Sequence, residues 1–276
     1  PMLVGFGCSV PAIMATRTLE SRRDRIMTML ITPFMSCSAR LPVYILLVSA
    51  FFPVNQGLIL LSVYLIGILL AIGTSFLLKK TLFAKSSDPF VMELPPYRMP
   101  TMRNTTIHMW GKAGQYLKKM GTIILFASIL IWALGYFPLN RTTMADETEH
   151  LENSYIGQIG KAIEPVIRPL GFDWKMGIGI LSGIGAKELV VSTLGVLYTN
   201  ENDVDTVDLS ERIPITPLVA YGYMLFVLIY FPCIATLAAI KQESGGWKWA
   251  IFAATYTTIL AWLVAFGVYQ IGSLFI

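Results

Sequence analysis

Charged side chains are scarce in this chain. They make up 14% of its 276 residues, where a soluble globular domain carries about 25%. So little charge, with a mean hydropathy of +0.63, excludes the soluble and the disordered classes. Histidine is rarer still, with 2 residues, His108 and His150, both in polar stretches. They have no shared metal-ligand spacing, and neither lies in an apolar run, so the commonest general base is missing from any buried site. The 3 cysteines are too few for a disulfide framework. No G-x-x-x-x-G-K-[ST] run is present, hence no phosphate loop and no nucleotide-binding residues. The arginines at 17–25 form a topology signal rather than a nucleic-acid footprint.

What is present is a series of long apolar runs. Leu58–Leu78, Gly121–Phe137, Leu218–Ile240 and Trp249–Ile276 carry no charge, and about 20 apolar residues cross the hydrocarbon core as a helix. The fold class expected is all-α, with polytopic transmembrane helices. Other apolar segments are interrupted: Pro1–Thr16 by Pro11, and Ile26–Phe52 by Pro33 and Pro42. Met176–Tyr198 is glycine-rich and reads as a further span. Two amphipathic stretches should lie at the interface. In Ile107–Lys119, the residues Ile107, Trp110, Gly114 and Leu117 oppose Lys112, Gln115 and Lys119; Leu151–Leu170 presents Leu151, Tyr155, Ile159, Ile163 and Val166 on one face. A chain that opens on Pro1 directly into an apolar motif is expected to be part of a longer protein.

Lys and Arg set the orientation. Arg17, Arg22, Arg23 and Arg25, and the basic stretch Lys79–Lys119, place both segments in the cytoplasm, and the uncharged turn at 53–57 outside. Loop 199–216 has Arg212 against Glu201, Asp203, Asp205, Asp208 and Glu211 and reads as external. Counting every apolar run as a crossing puts that loop inside, so either one segment is re-entrant or the loop's composition misleads, since acids carry little weight in the rule.

Only Arg40, Lys187 and Glu188 lie within apolar segments. An ionisable group at membrane depth is costly and usually faces protein or water in a functional role. A repeat runs through the same regions. PFMSCSARLP at Pro33–Pro42 matches IYFPCIATLA at Ile229–Ala238 as aromatic-x-x-Cys-x-Ala-[Arg/Thr]-Leu. Upstream, GFGCSVPAIMATRTL matches GIGAKELVVSTL through Gly-x-Gly and the closing Thr-Leu, pairing Cys8 with Ala186. Gly7 and Cys37 are 30 residues apart and Gly185 and Cys233 are 48 apart; the 18 residues of loop 199–216 make up the difference. Paired segments broken by proline and glycine mark transporters, whose interrupted helices offer carbonyls and half-helix ends near the midplane.

The stretches GFGCSVPAIMATRTLESRRDR, PFMSCSARLPVY, SGIGAKELVVSTLGVLY and FPCIATLAAIKQE closely resemble the membrane part of the bacterial ferrous iron transport protein B family, over nearly the whole chain. The resemblance implies two gate-type repeats containing broken or re-entrant helices, carrying Fe(II) as substrate across the bacterial cytoplasmic (inner) membrane. It also implies an N-terminal GTP-binding domain, with GTP and Mg bound there and not in this chain. The organisation expected is a first gate-repeat core at 1–50, a central region at 51–119, and a second gate repeat with C-terminal spans at 120–276. Expected partners are the lipid bilayer, the GTP-binding domain, small accessory iron-transport proteins and a second copy of the chain, with no nucleic acid.

Cys8, Cys37, Cys233 and Glu188 are the expected metal-contacting residues, since thiol and carboxylate ligands suit a divalent first-row metal. The plain alternative is that each cysteine is a small packed hydrophobe. Lys187 and Arg40 are gating or structural polar residues, Arg40 as a donor to carbonyls freed near Pro42. Met35 offers a soft sulfur. Lys187 and Glu188 are adjacent and do not face each other on a helix, which disfavours simple mutual neutralisation. Competing functions are a gate-repeat transporter of another substrate (a nucleoside or another cation), a membrane-embedded thiol enzyme, which lacks a base, and a structural anchor, which leaves the buried charges unexplained. A transporter, not an enzyme, is expected.

Overall fold

A computed structural model describes residues 1–19, 21–82, 154–198 and 215–274, together with isolated positions between 101 and 136. The stretches at 107–119 and 121–137 fall largely outside the described residues, and the start of the 151–170 stretch and most of loop 199–216 fall outside them altogether. Among the described residues the structure is helical, without strands.

The first half is two interrupted helices followed by a continuous one. α1 (Met2–Gly5) and α2 (Ser9–Ala15) are separated by an extended Cys8. α3 (Arg22–Ile31), capped by Ser21, runs through a 3-10 turn at Thr32–Phe34, breaks, and resumes through a second 3-10 turn into α4 (Leu41–Phe51). Pro33 and Pro42 each sit in a first helical turn. Proline is tolerated there because its missing N–H would be unpaired anyway, and the break itself, at 35–37, lies between the two proline-bearing segments. After a tight turn with Asn55 in the left-handed region (φ 62°), α5 (Gln56–Thr81) continues unbroken.

The second half follows the same order after an additional helix, α6 (Tyr155–Ile167). α7 (Trp174–Gly185) and α8 (Leu189–Tyr198) flank an extended Ala186. α9 (Pro217–Ile229) breaks before α10 (Ile234–Ser244), and α11 (Trp247–Ser273) is continuous. The matched positions agree in backbone conformation. Cys8 has φ −153°, ψ 135° and Ala186 has φ −146°, ψ 136°; Cys37 has φ −79°, ψ 159° and Cys233 has φ −58°, ψ 152°. The repeat seen in the letters is a repeat of helix breaks.

Among the described residues four stretches are long and apolar enough to cross a membrane: Arg22–Phe51, Gln56–Thr81, Pro217–Ser244 and Trp247–Ser273. Met176–Tyr198 is not a crossing, which corrects its reading as a span. The 12 residues of α7 rise about 18 Å, little over half of a ~30 Å hydrocarbon core. α8 then turns back along α7. A Cβ on Gly179 would meet Leu194 and one on Gly183 would meet Val190. Nearer the mouth, Tyr198 Oη donates to Asp173 at 2.7 Å and Lys175 Nζ to the Leu197 carbonyl at 3.1 Å. The pair is a re-entrant hairpin with both ends on one face.

That hairpin explains the parity conflict over loop 199–216. Arg17 grips Glu243 through Nε (2.7 Å) and Nη2 (2.5 Å), so the end of α10 lies on the face that carries Arg17. The Glu243 hydrogen bond, and then its charge, hold the Arg17 guanidinium above its usual pKa, so the arginine stays ionised. α9 therefore starts on the opposite face, as does the end of α11, where Leu218 packs on Gly272 and Val219 and Tyr269 close on Gly171. Tyr198 and Thr216 share that opposite face with the 53–55 turn. The second half is thus the first half turned over, the arrangement of inverted-topology repeats.

α9 is the hub. Tyr223 through Tyr230 are all buried, so the helix is apolar on every side because protein surrounds it. α5 approaches it through Val63, Gly67 and Ala71, and α11 presents Ala253, Thr257, Ala261 and Ala265, in both cases small or branched residues at a spacing of four. Such ridges allow close approach of helices in lipid. Gly67 shows the need: a Cβ there would sit 3.0 Å from the Phe34 carbonyl and 3.2 Å from Leu228. The opposite sides of α5 (Leu58, Leu61, Leu65, Leu69, Ile72, Phe76) and α11 (Ile251, Ile259, Leu263) are exposed apolar stripes suited to lipid. α6 packs through Gly160 and Ile167, leaving Tyr155, Ile159 and Val166 exposed.

Single cysteines at Ser21 and Thr216, in a cysteine-free full-length background, should be labelled by an impermeant thiol reagent from opposite sides of the membrane. Labelling of both from one side would rule out the re-entrant arrangement.

Candidate functional site

Each interruption frees carbonyls on its first half-helix, and at membrane depth these need protein donors. In the first half the two breaks serve one another: Ser38 donates to the Gly7 carbonyl through both N–H (3.2 Å) and Oγ (2.9 Å). Arg40 Nη1 donates to the carbonyls of Pro33 and Met35, each at 3.0 Å. In the second half Lys187, in the α7–α8 break, reaches across to the Phe231 carbonyl in the α9–α10 break at 2.9 Å. Its ammonium also sits 3.2 Å from the centroid of the Tyr230 ring, a desolvated cation–π contact of about 2 kcal/mol.

These contacts gather the breaks around one polar centre. Lys187 lies within electrostatic reach of Arg40, Cys233 and Cys37, and among the described residues it forms no ion pair with a carboxylate. Tyr230 faces Arg40, Cys233 and Tyr44, while Tyr44 faces Arg40 and Cys37 and accepts from Ser36 Oγ at 3.4 Å. Arg40 and Lys187 are buried, at 2% and 4% exposure. Arg40 Nε has no acceptor.

All three thiols occupy the same local position. Cys8, Cys37 and Cys233 each stand immediately before the second half-helix of their break, and each is half-buried and outside any disulfide. Cys233 Sγ lies 3.0 Å from Thr236 Oγ1, the residue that aligns with Arg40. The structure thus brings Cys37, Cys233, Arg40 and Lys187 together. Cys8 stands beside Gly7, one residue from the Ser38 contact. Met35 is buried with its side chain against Gly5, and it offers its carbonyl, rather than its sulfur, to Arg40. Glu188 diverges from its neighbour: Lys187 turns inward and Glu188 is exposed. Among the described residues no group of three His, Cys, Asp or Glu side chains converges as a metal cage.

The letters alone did not expose the tyrosines. Tyr223 Oη donates to the Met176 carbonyl at 3.3 Å and Tyr230 Oη to the Ile180 carbonyl at 3.2 Å. They reach α7 because Gly179 and Gly183 present no Cβ; one on either would meet the hydroxyl of Tyr223 or Tyr230 respectively. The signal was there as the four-residue glycine spacing of α7 and the seven-residue tyrosine spacing of α9.

The Gate family, described as nucleoside recognition, matches residues 1–51 and 117–247, and the family described as ferrous iron transport protein B C terminus matches residues 60–112. The chain is 52% identical, over its full length, to a Porphyromonas gingivalis protein named Fe(2+) transport protein A/Fe(2+) transporter FeoB fusion protein, 38% of which it covers. It is 44% identical over 96% of its length to a Campylobacter jejuni Fe(2+) transporter FeoB, covering 45% of that protein. It is 45% identical over 99% of its length to the Methanocaldococcus jannaschii Fe(2+) transporter FeoB, covering 41%. The chain therefore spans less than half the length of these relatives. No solved structure matches it.

Gly183→Ala should displace Tyr230 from the Ile180 carbonyl and destabilise the full-length protein by about 1–3 kcal/mol, the usual range for overpacking. Gly73→Ala, where a Cβ meets nothing, should be neutral or slightly stabilising. Thermal unfolding in detergent compares the two directly.

Proposed function

We propose, from the premise that this chain belongs to the ferrous iron transport protein B family, that it forms the membrane path by which Fe(II) crosses the bacterial cytoplasmic membrane. The observation that carries the reading is the placement of Cys37 and Cys233 at matched helix breaks, one from each half, around a shared polar centre. Thiol and carbonyl ligands suit a divalent first-row ion. A transported ion must also leave, so a few ligands per stage serve better than a closed cage. Cys8 is proposed as a further stage at the α1–α2 break. Glu188, exposed at the outer side of the α7–α8 break, is proposed to meet the ion beside the thiols.

Transport by the whole protein is proposed to be gated by a GTP-binding domain elsewhere in the full-length chain. The Porphyromonas relative is a fusion with Fe(2+) transport protein A, which supports a small accessory protein of that kind as a partner. The Arg-rich face, cytoplasmic by the charge rule, is the side on which both would dock. A membrane-embedded thiol enzyme is disfavoured, since neither histidine of the sequence lies in an apolar segment where it could serve a buried thiol as base.

Full-length protein in proteoliposomes should take up labelled Fe(II) in preference to a nucleoside. Cys37→Ser and Cys233→Ser should each slow uptake about tenfold or more, the scale on which metal-site substitutions act, at unchanged expression; Glu188→Gln should also slow it. Uptake of a nucleoside with no Fe(II) flux would overturn the reading. Wild-type Fe(II) flux in the triple Cys→Ser variant would reduce the cysteines to packing.

A further inference from the structure

Met35 and Phe231 hold the same place in the two copies of the aromatic-x-x-Cys motif, two residues before Cys37 and Cys233. In both halves the carbonyl at that place accepts a hydrogen bond from a buried side-chain cation, Arg40 at 3.0 Å in the first and Lys187 at 2.9 Å in the second. The cations do not come from equivalent positions. Arg40 aligns with Thr236, which bonds Cys233 instead, and Lys187 aligns with Ser9. The inverted repeats thus reach one outcome by two routes: positive charge on the same freed carbonyl.

A hydrogen bond alone does not explain this. Ser, Thr, Asn or Gln would satisfy a carbonyl at far less desolvation penalty than a buried cation. Nor are these cations settled by counter-charge. Among the described residues neither forms an ion pair with a carboxylate, the guanidinium of Arg40 leaves its buried Nε without an acceptor, and Lys187 relies on one carbonyl and one ring face. Each is a cation held by carbonyl dipoles beside a thiol, the surroundings that would also receive a divalent transition-metal ion.

We propose that the Met35 and Phe231 carbonyls form two stations for the divalent ion, and that Arg40 and Lys187 are tethered cations that fill these stations when no ion is in transit. An arriving ion displaces the side chain, takes the carbonyl and the neighbouring thiol, and is released when the side chain returns. The tethered charge keeps the freed carbonyl paired in the empty protein and opposes occupation by a second cation. This inference rests on the Fe(II) reading above.

The test is anaerobic equilibrium binding of Fe(II) to the full-length protein in detergent. Lys187→Gln keeps a donor for the Phe231 carbonyl and removes the charge, so it should bind Fe(II) about tenfold tighter or more, as expected when a like charge a few ångströms away is deleted. Lys187→Arg should not bind tighter. In the wild-type protein, Fe(II) should raise acylation of Lys187 by a small amine-reactive reagent several-fold, read by mass spectrometry. That second readout decides the matter if Lys187→Gln fails to fold. Unchanged or weaker binding by a folded Lys187→Gln, or metal-independent acylation, would make the cations structural caps only. If the wild type binds no Fe(II) at all, it is the transport reading that fails.

Discussion

A carbonyl released by a helix break has no water to bond at mid-bilayer, and this constraint organises the molecule. Each unsatisfied backbone group there costs several kcal/mol. The breaks therefore persist only because donors are brought to them: Ser38 to Gly7, Arg40 to Pro33 and Met35, Lys187 to Phe231. Meeting those donors requires the two breaks of each half to lie side by side. That in turn requires α7 and α8 to fold back as a hairpin, and the hairpin requires glycine where the Val190 side chain and the Tyr230 hydroxyl approach Gly183. Close packing here is a consequence of polar satisfaction.

The symmetry is strict in the backbone and loose in the side chains. Matched residues at the breaks share φ and ψ closely, yet Cys8 is paired with Ala186, Arg40 with Thr236 and Ser9 with Lys187. Backbone geometry is fixed by the need to break a helix at one depth. Side chains at the centre answer to the combined site, where one thiol and one cation from each half suffice. The centre consequently belongs to neither repeat alone, as the electrostatic coupling of Tyr230 with Arg40 and of Lys187 with Cys37 illustrates.

Much of this was legible in the letters, for physical reasons that also set the limits. Apolar run length reports helices able to cross a bilayer, and Pro33, Pro42 and Pro232 report interruptions, so the all-α multi-pass class and the repeated breaks could be read. Run length does not report direction. Met176–Tyr198 has the length of a crossing, and only the charge imbalance of loop 199–216 betrayed that something turned back. Hydropathy likewise cannot say which way a side chain points at a break. Lys187 and Glu188 are neighbours in one motif, but without helical phase between Gly185 and Leu189 their divergence was open until the backbone was seen. The tyrosine contacts depend on glycines 40 or more residues away in sequence, a pairing that only the folded hairpin creates.

The halves are held together unevenly. Around the centre, α9 is embedded among α4, α5 and α11, with Ser62 and Tyr221 hydrogen-bonded at 2.9 Å across the two repeats. This apolar seam cannot part without exposing fully buried residues such as Leu228 and Tyr44. On the Arg17 face, by contrast, the first hairpin is tied to α10 by the Arg17–Glu243 pair, whose arginine is nearly half exposed at 46%. The Glu243 carboxylate is only 5% exposed, so water and salt screen the pair from the arginine side alone. Rigid packing therefore fixes the thiols and carbonyls relative to one another. On the Arg17 face the charge pair adds to a packed contact, because Val10 and Ile13 of α2 lie in the same buried cluster as Ala239 and Ile240 of α10, and a motion there would have to part both.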